Sequence, residues 1–371
     1  ADISIGAGIS TIENKTFEYC SSLTNITLPH GISSFKYRAF AGCPNLNLEA
    51  IPPTVTLIEH YAFTGSGLQD LTIPNTVESL GAHAFSYCQS LTNVTILKES
   101  SGIPIGIFQN CSNLVSVSLN ENAKGIGTYA FSGCRSLKNI TIPDGVTFIG
   151  TSAFDGCSSL TSMVIPDGVP ALEIKVFGGC SSLTNVVLGS GVKSIKGGAF
   201  WYCGNLSSIV LPEGVISIEQ SAFLECDNLE SITIPSTLTA LGQWAFGNCD
   251  NLKGVYFKGD APVAEANTFI GASMATIYYL PGTTGWDSTL GGCSTSPWKL
   301  FLQDFKTENH RCEFSVFGPD HETVIVEVND DLRGDGWIPI ETSTLASGLF
   351  HFSGSVRTNQ AACFYRARTQ Q

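Results

Sequence analysis

Apolar and polar residues follow one another along this chain in a fixed order, and the order repeats every 23 residues. A phenylalanine marks each repeat, with neighbouring phenylalanines 23 residues apart at ten intervals and 22 apart at one. A fixed period between about 20 and 50 residues is typical of a solenoid, in which similar units stack along one axis. The pattern therefore predicts twelve stacked coils, each built on one phenylalanine. These residues are Phe17, Phe40, Phe63, Phe85, Phe108, Phe131, Phe154, Phe177, Phe200, Phe223, Phe246 and Phe269.

The coil that begins at Phe131 shows what each repeat contains. Asn139-Ile140-Thr141-Ile142 alternates polar and apolar residues, which predicts a short strand with one buried face. Pro143 ends the strand because proline has no N–H to give to a sheet, and Asp144-Gly145 makes the turn that follows. An extended run then leads back to the next phenylalanine.

A single coil of this kind buries too few apolar side chains to offset the entropy lost in ordering its backbone. Coils must therefore stack on one another, with neighbouring strands about 4.8 Å apart. Stacking predicts a continuous parallel sheet along one side of the solenoid, roughly 50–55 Å long at that spacing. We expect this sheet to be the main functional surface.

Cysteine is the second repeated residue. Ten of the thirteen cysteines follow the repeat phenylalanine by three residues, so we expect them to form an interior column of free, buried thiols. Ser66 takes this place once, in the coil that has also lost one residue. Disulfides between adjacent coils stay open as an alternative, because the spacing does not forbid them. A zinc site is not expected, since ligands every 23 residues point in parallel and not at one tetrahedral centre.

The repeats resemble those of the BspA-like leucine-rich repeat family, whose pattern is close to AF-x-x-C-x-x-L-x-x-I-x-I-P-x-x-V-x-x-I-G. The resemblance covers about residues 1–282. It implies a right-handed, curved solenoid with its strands on the concave face. Members are typically bacterial surface or secreted proteins and several are adhesins, so the resemblance implies a secreted or cell-surface protein that binds host or extracellular-matrix proteins.

Three places depart from the repeat. Glu49 stands where neighbouring coils have Ile or Val, which predicts a local bulge or an outward-turned side chain. Leu97-Lys98-Glu99-Ser100-Ser101 and, one coil later, Asn120-Glu121-Asn122-Ala123 lack the usual proline and valine. These two adjacent stretches are where we expect a bulging loop, with drift at a solvent-facing edge as the simpler alternative.

The sequence divides into a solenoid over residues 1–302 and a different module over residues 303–371. Residues 259–302 keep Phe269 but gain Tyr279, Trp286 and Trp298, and we interpret them as the cap that covers the apolar end of a solenoid. An aromatic sugar-binding platform is the alternative for this segment.

The segment 303–371 has no 23-residue period. Five short alternating runs predict a small antiparallel β-sandwich-like module, which resembles more loosely the C-terminal modules with an FYRAR-like ending found in secreted bacterial proteins. Cys312 is expected to face inward, and a Cys312–Cys363 bridge stays open. Arg333, Gly334 and Asp335 form an RGD tripeptide of the kind that integrins read, although chance also produces it.

Charge narrows the choice of partners. The net charge is −13 and only 14% of residues are charged, with no basic stripe. We therefore expect neither nucleic acid nor an anionic membrane surface as a partner. No apolar run is long enough to cross a bilayer, so no membrane insertion is expected. Because Ala1 already lies within a repeat, we interpret the sequence as an excised fragment or a mature form.

The outward positions of the predicted strands form the candidate site. They are short, polar and nearly uncharged, become more apolar after Ser162, and offer neither a nucleophile–base pair nor a carboxylate pair. We therefore predict a non-enzymatic protein with no catalytic residue, metal or cofactor, whose concave face recognises a protein. A polysaccharide partner is the second choice, and a structural spacer or envelope component is the alternative. The candidate partner-binding residues are Asn25, Thr27, Asn93, Thr95, Asn139, Thr141, Ser162, Asn185, Ser208, Ser231, Thr233, Tyr256 and Tyr279.

Overall fold

The structure, a computed structural model, describes most of the chain. The described residues are 1–48, 50–98, 102–280, 282–298, 301–308, 311–318, 323–329, 337–345, 349–355 and 364–369. Four features named above lie outside them, namely Glu49, residues 99–101, Cys363 and the tripeptide of Arg333, Gly334 and Asp335.

The described residues form strands and turns, with no α-helix among them. In chain order, the strands of the repeat region and its end are β1 (Asp2–Ser4), β2 (Thr11–Ile12), β3 (Asn25–Thr27), β4 (Ser34–Phe35), β5 (Leu57–Ile58), β6 (Asp70–Ile73), β7 (Ser79–Leu80), β8 (Asn93–Ile96), β9 (Ser116–Ser118), β10 (Gly125–Ile126), β11 (Asn139–Ile140), β12 (Phe148–Ile149), β13 (Ser162–Val164), β14 (Ala171–Leu172), β15 (Asn185–Val187), β16 (Ser194–Ile195), β17 (Ser217–Ile218), β18 (Ser231–Ile234), β19 (Ala240–Leu241), β20 (Gly254–Phe257), β21 (Val263–Ala264), β22 (Thr276–Tyr279), β23 (Thr289–Leu290) and β24 (Cys293–Pro297). The remaining strands are β25 (Phe301–Glu308), β26 (Arg311–Phe317), β27 (Thr323–Asn329), β28 (Ile338–Thr344), β29 (Leu349–Ser355) and β30 (Phe364–Thr369).

The strands of the repeat region form two sets. The front strands are the predicted ones, β1, β3, β6, β8, β9, β11, β13, β15, β18, β20, β22 and β24, and they pair in parallel from coil to coil. A second, shorter set, the rear strands, forms just before the next phenylalanine and also pairs in parallel, as in β14-β16-β17-β19-β21. The predicted leucine-rich-repeat solenoid with parallel sheets is thus confirmed, and a second ladder is added to it.

The prediction of one continuous front sheet was wrong. The front ladder consists of four runs, β1-β3, β6-β8-β9-β11, β13-β15 and β18-β20-β22-β24 with β23 at its end. Residues 207–211 of the Phe200 coil join neither neighbour in a ladder. The stack tolerates these gaps because its coils also contact one another through interior side chains and through the backbone around each phenylalanine.

The interior is built on the repeat phenylalanines. Their rings stack in all eleven neighbouring pairs, with centroids 5.2–6.0 Å apart and planes within 1–19° of each other. All but Phe17 are buried. Stacked aromatic pairs are stabilising beyond the apolar area that they bury. The predicted single column of rings is confirmed.

The cysteines form a second interior column, as predicted, and they do more than fill space. From Cys43 onward each repeat cysteine is buried, and its thiol lies 3.0–3.2 Å from the carbonyl oxygen of the phenylalanine one coil earlier. The same oxygen also accepts a bond from its own coil, as when the Cys134 N–H donates to Phe131. The thiol therefore satisfies the second lone pair of a buried carbonyl.

A backbone ladder that the sequence did not predict runs along the turn that holds the phenylalanine. We call this segment the Phe turn, and it extends from four residues before the repeat phenylalanine to three after it. In the Phe131 coil the N–H groups of Tyr129, Phe131 and Gly133 donate to carbonyl oxygens of the next coil at 3.0, 2.8 and 2.7 Å. The first and third of these positions have positive φ in nearly every coil, at Tyr129 and Gly133 as elsewhere.

The end of the solenoid is covered by its own aromatic segment. β24 extends the front ladder beyond β22, and β23 turns back antiparallel against β24. Trp286 packs on Phe257 and Tyr279, with ring centroids 5.1 and 4.9 Å apart, and Trp298 is buried. These contacts leave Trp298 out of any exposed sugar-binding platform, and they fit the predicted cap.

The last six strands form two antiparallel sheets of three, β25-β26-β29 and β28-β27-β30. Cys312, Phe314 and Val316 face inward together, as strand parity predicted. Arg366 and Arg368 of the FYRAR-like strand both donate to the Glu327 carboxylate, at 2.7 and 2.9 Å. Burial raises the pKa of Glu327, but the two guanidinium groups outweigh it and lower the pKa overall.

Candidate functional site

The front strands present their polar residues outward, as the alternation predicts. Exposed and buried residues follow one another in β3, β9, β13 and β15, with one buried residue between two exposed ones. Asn25, Thr27, Asn93, Asn139, Thr141, Ser162, Asn185, Ser208 and Ser231 are exposed, while Thr95, Thr233 and Tyr256 are half-buried.

Tyr279 does not belong to this surface. Tyr256 pairs with Tyr278 and Phe257 pairs with Tyr279, so Tyr279 shares the inward parity of Phe257 and packs against the core. The strand of the Phe269 coil starts one residue early, which turns every side chain in it to the opposite face. The outward position predicted for Tyr279 was wrong, and Tyr278 takes it instead.

In the first coils the outward groups bond to one another. The Asn25 Nδ2 group donates to Asp2 Oδ1 at 2.8 Å, and Asn93 Nδ2 donates to Asp70 Oδ1 at the same distance. The Asp70 carboxylate also accepts a bond from Thr92, and these bonds lower its pKa. Such side chains contribute less to partner recognition, because a partner would have to replace bonds that they already make.

The middle coils differ, because their outward groups include aliphatic side chains. Val164, Val187 and Val210 are 62, 50 and 82% exposed and occupy the same position in three successive coils. The outward positions around them hold only small uncharged polar residues. We call this surface the valine patch, and it comprises Thr161, Ser162, Val164, Thr184, Asn185, Val187, Ser207, Ser208 and Val210.

Beyond the valine patch the front surface becomes aromatic. Tyr256 stacks on Tyr278 with centroids 5.0 Å apart and touches Trp298 at 5.0 Å. Gly254 makes this possible, since a Cβ there would lie 2.6–2.8 Å from the Tyr256 ring. Burial, with the neighbouring Tyr278 as a smaller cause, raises the pKa of Tyr256 to about 12. Tyr256 is thus a half-buried ring that lies two coils beyond Val210.

Among the described residues, no group of three or more His, Cys, Asp or Glu side chains is placed to hold a metal ion. Within the same residues, no helix is long and apolar enough to cross a membrane.

Comparison with known proteins shows what this architecture is. The family model for the BspA type leucine-rich repeat region matches residues 1–115, 49–161, 101–226 and 147–276. A leucine-rich repeat protein from Bacteroides ovatus is 30% identical, with 69% of this chain and 78% of that chain covered and a TM-score of 0.49. A protein from Faecalibacterium prausnitzii, described as a leucine rich cell surface protein, is 24% identical over 77% of this chain and 88% of its own, with a TM-score of 0.49.

A leucine-rich repeat protein from Eubacterium ventriosum is 20% identical over 78% of this chain and 85% of that chain, with a TM-score of 0.51, and it shares the fold. No curated protein sequence matches. The stacked coils, the parallel ladders and the columns of phenylalanine and cysteine define a leucine-rich-repeat solenoid. The chain belongs to the BspA type leucine-rich repeat family, as its repeats predicted.

Sequence reasoning located the front surface but not its two most important details. The front strand of the Phe269 coil starts one residue early, and this was missed because Phe269 itself keeps the 23-residue step. The sign of it in the sequence is Ile277, which takes the buried position of Val255 although it lies 22 residues after it. The aromatic side chains of the Phe turn, among them Trp201 and Trp244, were also missed. A bulky aromatic residue next to a glycine-rich turn was the feature of the sequence that could have identified them.

Proposed function

We propose that this protein is a secreted or cell-surface binding protein, without enzymatic activity, that recognises an extracellular or host protein through the valine patch. The observation that carries the proposal is the alignment of Val164, Val187 and Val210, three exposed aliphatic side chains in one column. Membership of the BspA type family supports the surface location.

The chemistry of the patch favours a protein over other partners. Exposed aliphatic groups that lie together mark surfaces where burial against a partner is favourable. Small hydroxyl and amide groups beside them add hydrogen bonds without the cost of removing a charge from water. A nucleic acid needs basic residues, and the patch has none.

The other outward residues predicted from the sequence belong to this proposal as the rim of the binding surface. Asn139 and Thr141 precede the valine patch, and Ser231, Thr233 and Tyr256 follow it. Asn25, Thr27, Asn93 and Thr95 lie farther along the stack, where side chains already bond to one another. A hot-spot interface concentrates its energy near the centre, so substitutions at these outer residues are expected to have smaller effects.

The test measures binding of the purified protein to immobilised fibronectin and fibrinogen by surface plasmon resonance. Val187→Asp places a charge at the centre of the patch and Val210→Asp places one in its last coil, and each is expected to weaken binding at least about tenfold, or about 1.4 kcal/mol. Val263→Asp is the matched control, because Val263 is 79% exposed, close to Val210, but lies on rear strand β21.

If all three variants bind with the same affinity as the parent, the binding site is not the valine patch. A parent protein that binds neither fibronectin nor fibrinogen, nor any component of an extracellular-matrix protein array, would contradict recognition of such proteins. That result would favour a structural spacer or envelope component.

A further inference from the structure

A groove of about 460 Å³ lies on the Phe turn of four successive coils, at a place that the front strands do not reach. Trp201 and Leu224 line one part of it, Ile174 and Lys175 another, and Trp244 stands at one end. Gly197 and Gly198 lie between them. We call this site the tryptophan groove.

The groove exists because two successive residues of one coil have no side chain. In the Phe turn, Gly197 occupies the position that Ile174 has one coil earlier and Gln220 one coil later. A Cβ at Gly197 would meet nothing closer than the Gln220 carbonyl oxygen, at 3.4 Å. The stacking of coils therefore accepts a side chain here, and the glycine leaves room that the fold itself does not require.

The two indoles are set for contact with a ligand. Trp244 is 37% exposed and takes, with a φ of 56°, the left-handed conformation that this position has in nearly every coil. It lies two coils beyond Trp201, an offset along the stack of about 10 Å at a strand spacing of about 4.8 Å. The Nε1 group of Trp201 is buried and finds no acceptor within the described residues.

The polar groups of the groove indicate the chemistry of the ligand. Glu219, Gln220 and Ser221 come from the coil that follows Gly197 and offer acceptors and donors beside the apolar surface. A ligand with one apolar face and hydroxyl groups at its edge matches this combination.

Lys175 distinguishes between two kinds of ligand that favour tryptophan. Its ammonium group lies 4.4 Å from the centroid of the Trp201 ring, so a cation already occupies that cation–π position. A quaternary ammonium or lysine guest would meet a like charge there. A neutral pyranose ring meets no such penalty, and the lysine can donate hydrogen bonds to its hydroxyls.

We propose that the tryptophan groove binds a neutral hexopyranose unit of an oligosaccharide, its C–H face against an indole and its hydroxyls toward Gln220, Ser221 and Lys175. The valine patch has no part in this site, so the proposal is independent of protein binding there. It gives the chain a second recognition surface of different chemistry.

The test titrates the full chain with cellotriose, mannotriose and triacetylchitotriose, using tryptophan fluorescence and calorimetry. At least one trisaccharide is expected to bind and shift the emission, at concentrations up to about 10 mM because single-ring sites are often weak. Trp244→Ala and Gly197→Ile are each expected to reduce the affinity at least about tenfold. The second fills the groove with the side chain that Ile174 already supplies one coil earlier.

Tyr129→Ala is the matched control, because Tyr129 holds the same repeat position as Trp244, has a φ of 57° and is 39% exposed. It is expected to bind as the parent does, and circular dichroism establishes that all three variants fold. Absence of binding to all three trisaccharides and to a neutral glycan array would overturn the proposal. So would binding that survives both groove variants, or binding of an acidic peptide or a quaternary ammonium in preference to every saccharide.

Failure here and failure of the valine patch are distinguishable. Val187→Asp and Val210→Asp are expected to leave saccharide binding unchanged, and Trp244→Ala is expected to leave binding of fibronectin or fibrinogen unchanged.

Discussion

At the scale of the residue, the cysteine column shows how a small side chain can serve as both filler and donor. Each thiol that is fully buried, such as Cys134 or Cys157, touches the stacked interior and donates to a phenylalanine carbonyl one coil away. Ser66 and Ala272 each replace a cysteine of the column, and the Ser66 hydroxyl lies 3.4 Å from the Cys88 thiol. A short side chain is therefore what all twelve coils share at this position.

The thiols make stability depend on pH in the alkaline range. Burial raises the pKa of Cys134, Cys203 and Cys249 from 9.0 to about 12, and that of Cys43 to about 11. Between the unfolded and folded pKa values the unfolded chain has lost protons that the folded chain keeps, so stability is full below pH 9 and falls as the pH rises. Each such thiol is expected to lower the free energy of unfolding by up to about 1.4 kcal/mol per pH unit in this window.

The measurement is urea unfolding at pH 8, 9, 10 and 11 of the parent and of Cys134→Ala/Cys203→Ala. The double variant is expected to start less stable, because it loses two donors and leaves two small cavities, and to have a shallower dependence on pH. The two proteins have the same lysine and tyrosine residues, so the contributions of these residues to the pH dependence cancel in the comparison. Identical pH slopes would show that the thiols are not protected by burial.

The directions of most interior side chains were predictable from the sequence, but that of Tyr279 was not. The inward direction of the cysteines and of Cys312 followed from spacing and strand parity alone. The direction of Tyr279 did not, because a slip of one residue between Phe269 and Ile277 changes parity without changing any residue type. Positions counted from the repeat phenylalanine are wrong when the chain loses a residue between that phenylalanine and the strand.

At the scale of the element, the Phe turn explains why certain glycines recur four residues before the phenylalanine. A Cβ at Gly150 would lie 2.4 Å from the Thr128 backbone nitrogen, and one at Gly81 would lie 2.3 Å from the His60 nitrogen. In these coils the chain approaches its neighbour too closely for any side chain. Positive φ is a separate property of these turns, found two residues before and two residues after the phenylalanine. Fifteen non-glycine residues of the described chain adopt it there.

Gly150→Ala is expected to destabilise the protein by about 1–3 kcal/mol, because the methyl group can be placed only by moving backbone. Gly197→Ala is the matched control, since the nearest atom to its Cβ lies 3.4 Å away, and it is expected to change stability by less than about 0.5 kcal/mol. Urea unfolding at neutral pH measures both. Equal effects of the two substitutions would mean that the close approach at Gly150 does not limit the stacking of coils.

The front strand of each coil was predictable from its alternation of apolar and polar residues, whereas the Phe turn was not. Its backbone ladder depends on left-handed residues as different as Tyr129, Ser152 and Lys175, which share no composition that a sequence would reveal. The rear strands are only two residues long, which is too short for an alternating pattern to be recognised.

At the scale of the whole molecule, stability is distributed along the stack, because each coil contacts mainly its two neighbours. The phenylalanine column continues through all twelve coils and the cysteine column through all but two of them, so any coil can follow any other if the register is kept. The missing residue between Phe63 and Leu68 shows that the register tolerates a change within a loop, since the Phe63 and Phe85 rings still stack at 5.4 Å.

Removal of residues 139–230, four whole repeats, is expected to leave a folded solenoid in which Phe131 stacks on Phe246. The denaturant m-value is expected to fall by roughly a quarter, in proportion to the surface that unfolding exposes. The shortened protein lacks both the valine patch and the tryptophan groove, so it also serves as the negative control for both binding experiments.

The comparison is a deletion of residues 139–225, which removes five residues fewer. It joins coils out of register, brings polar residues into the interior, and is expected to aggregate or stay unfolded. If both shortened proteins fold equally well, the coils do not depend on a shared register.

The backbone ladder of the Phe turn gives the molecule a direction. In each of these bonds the N–H belongs to the earlier coil and the C=O to the later one, as for Phe17 with Ala39 and Phe223 with Ala245. Peptide dipoles aligned in this way add up along an axis, as they do within an α-helix. One edge of the stack is therefore polarised from end to end, with the positive end toward the C-terminal coil.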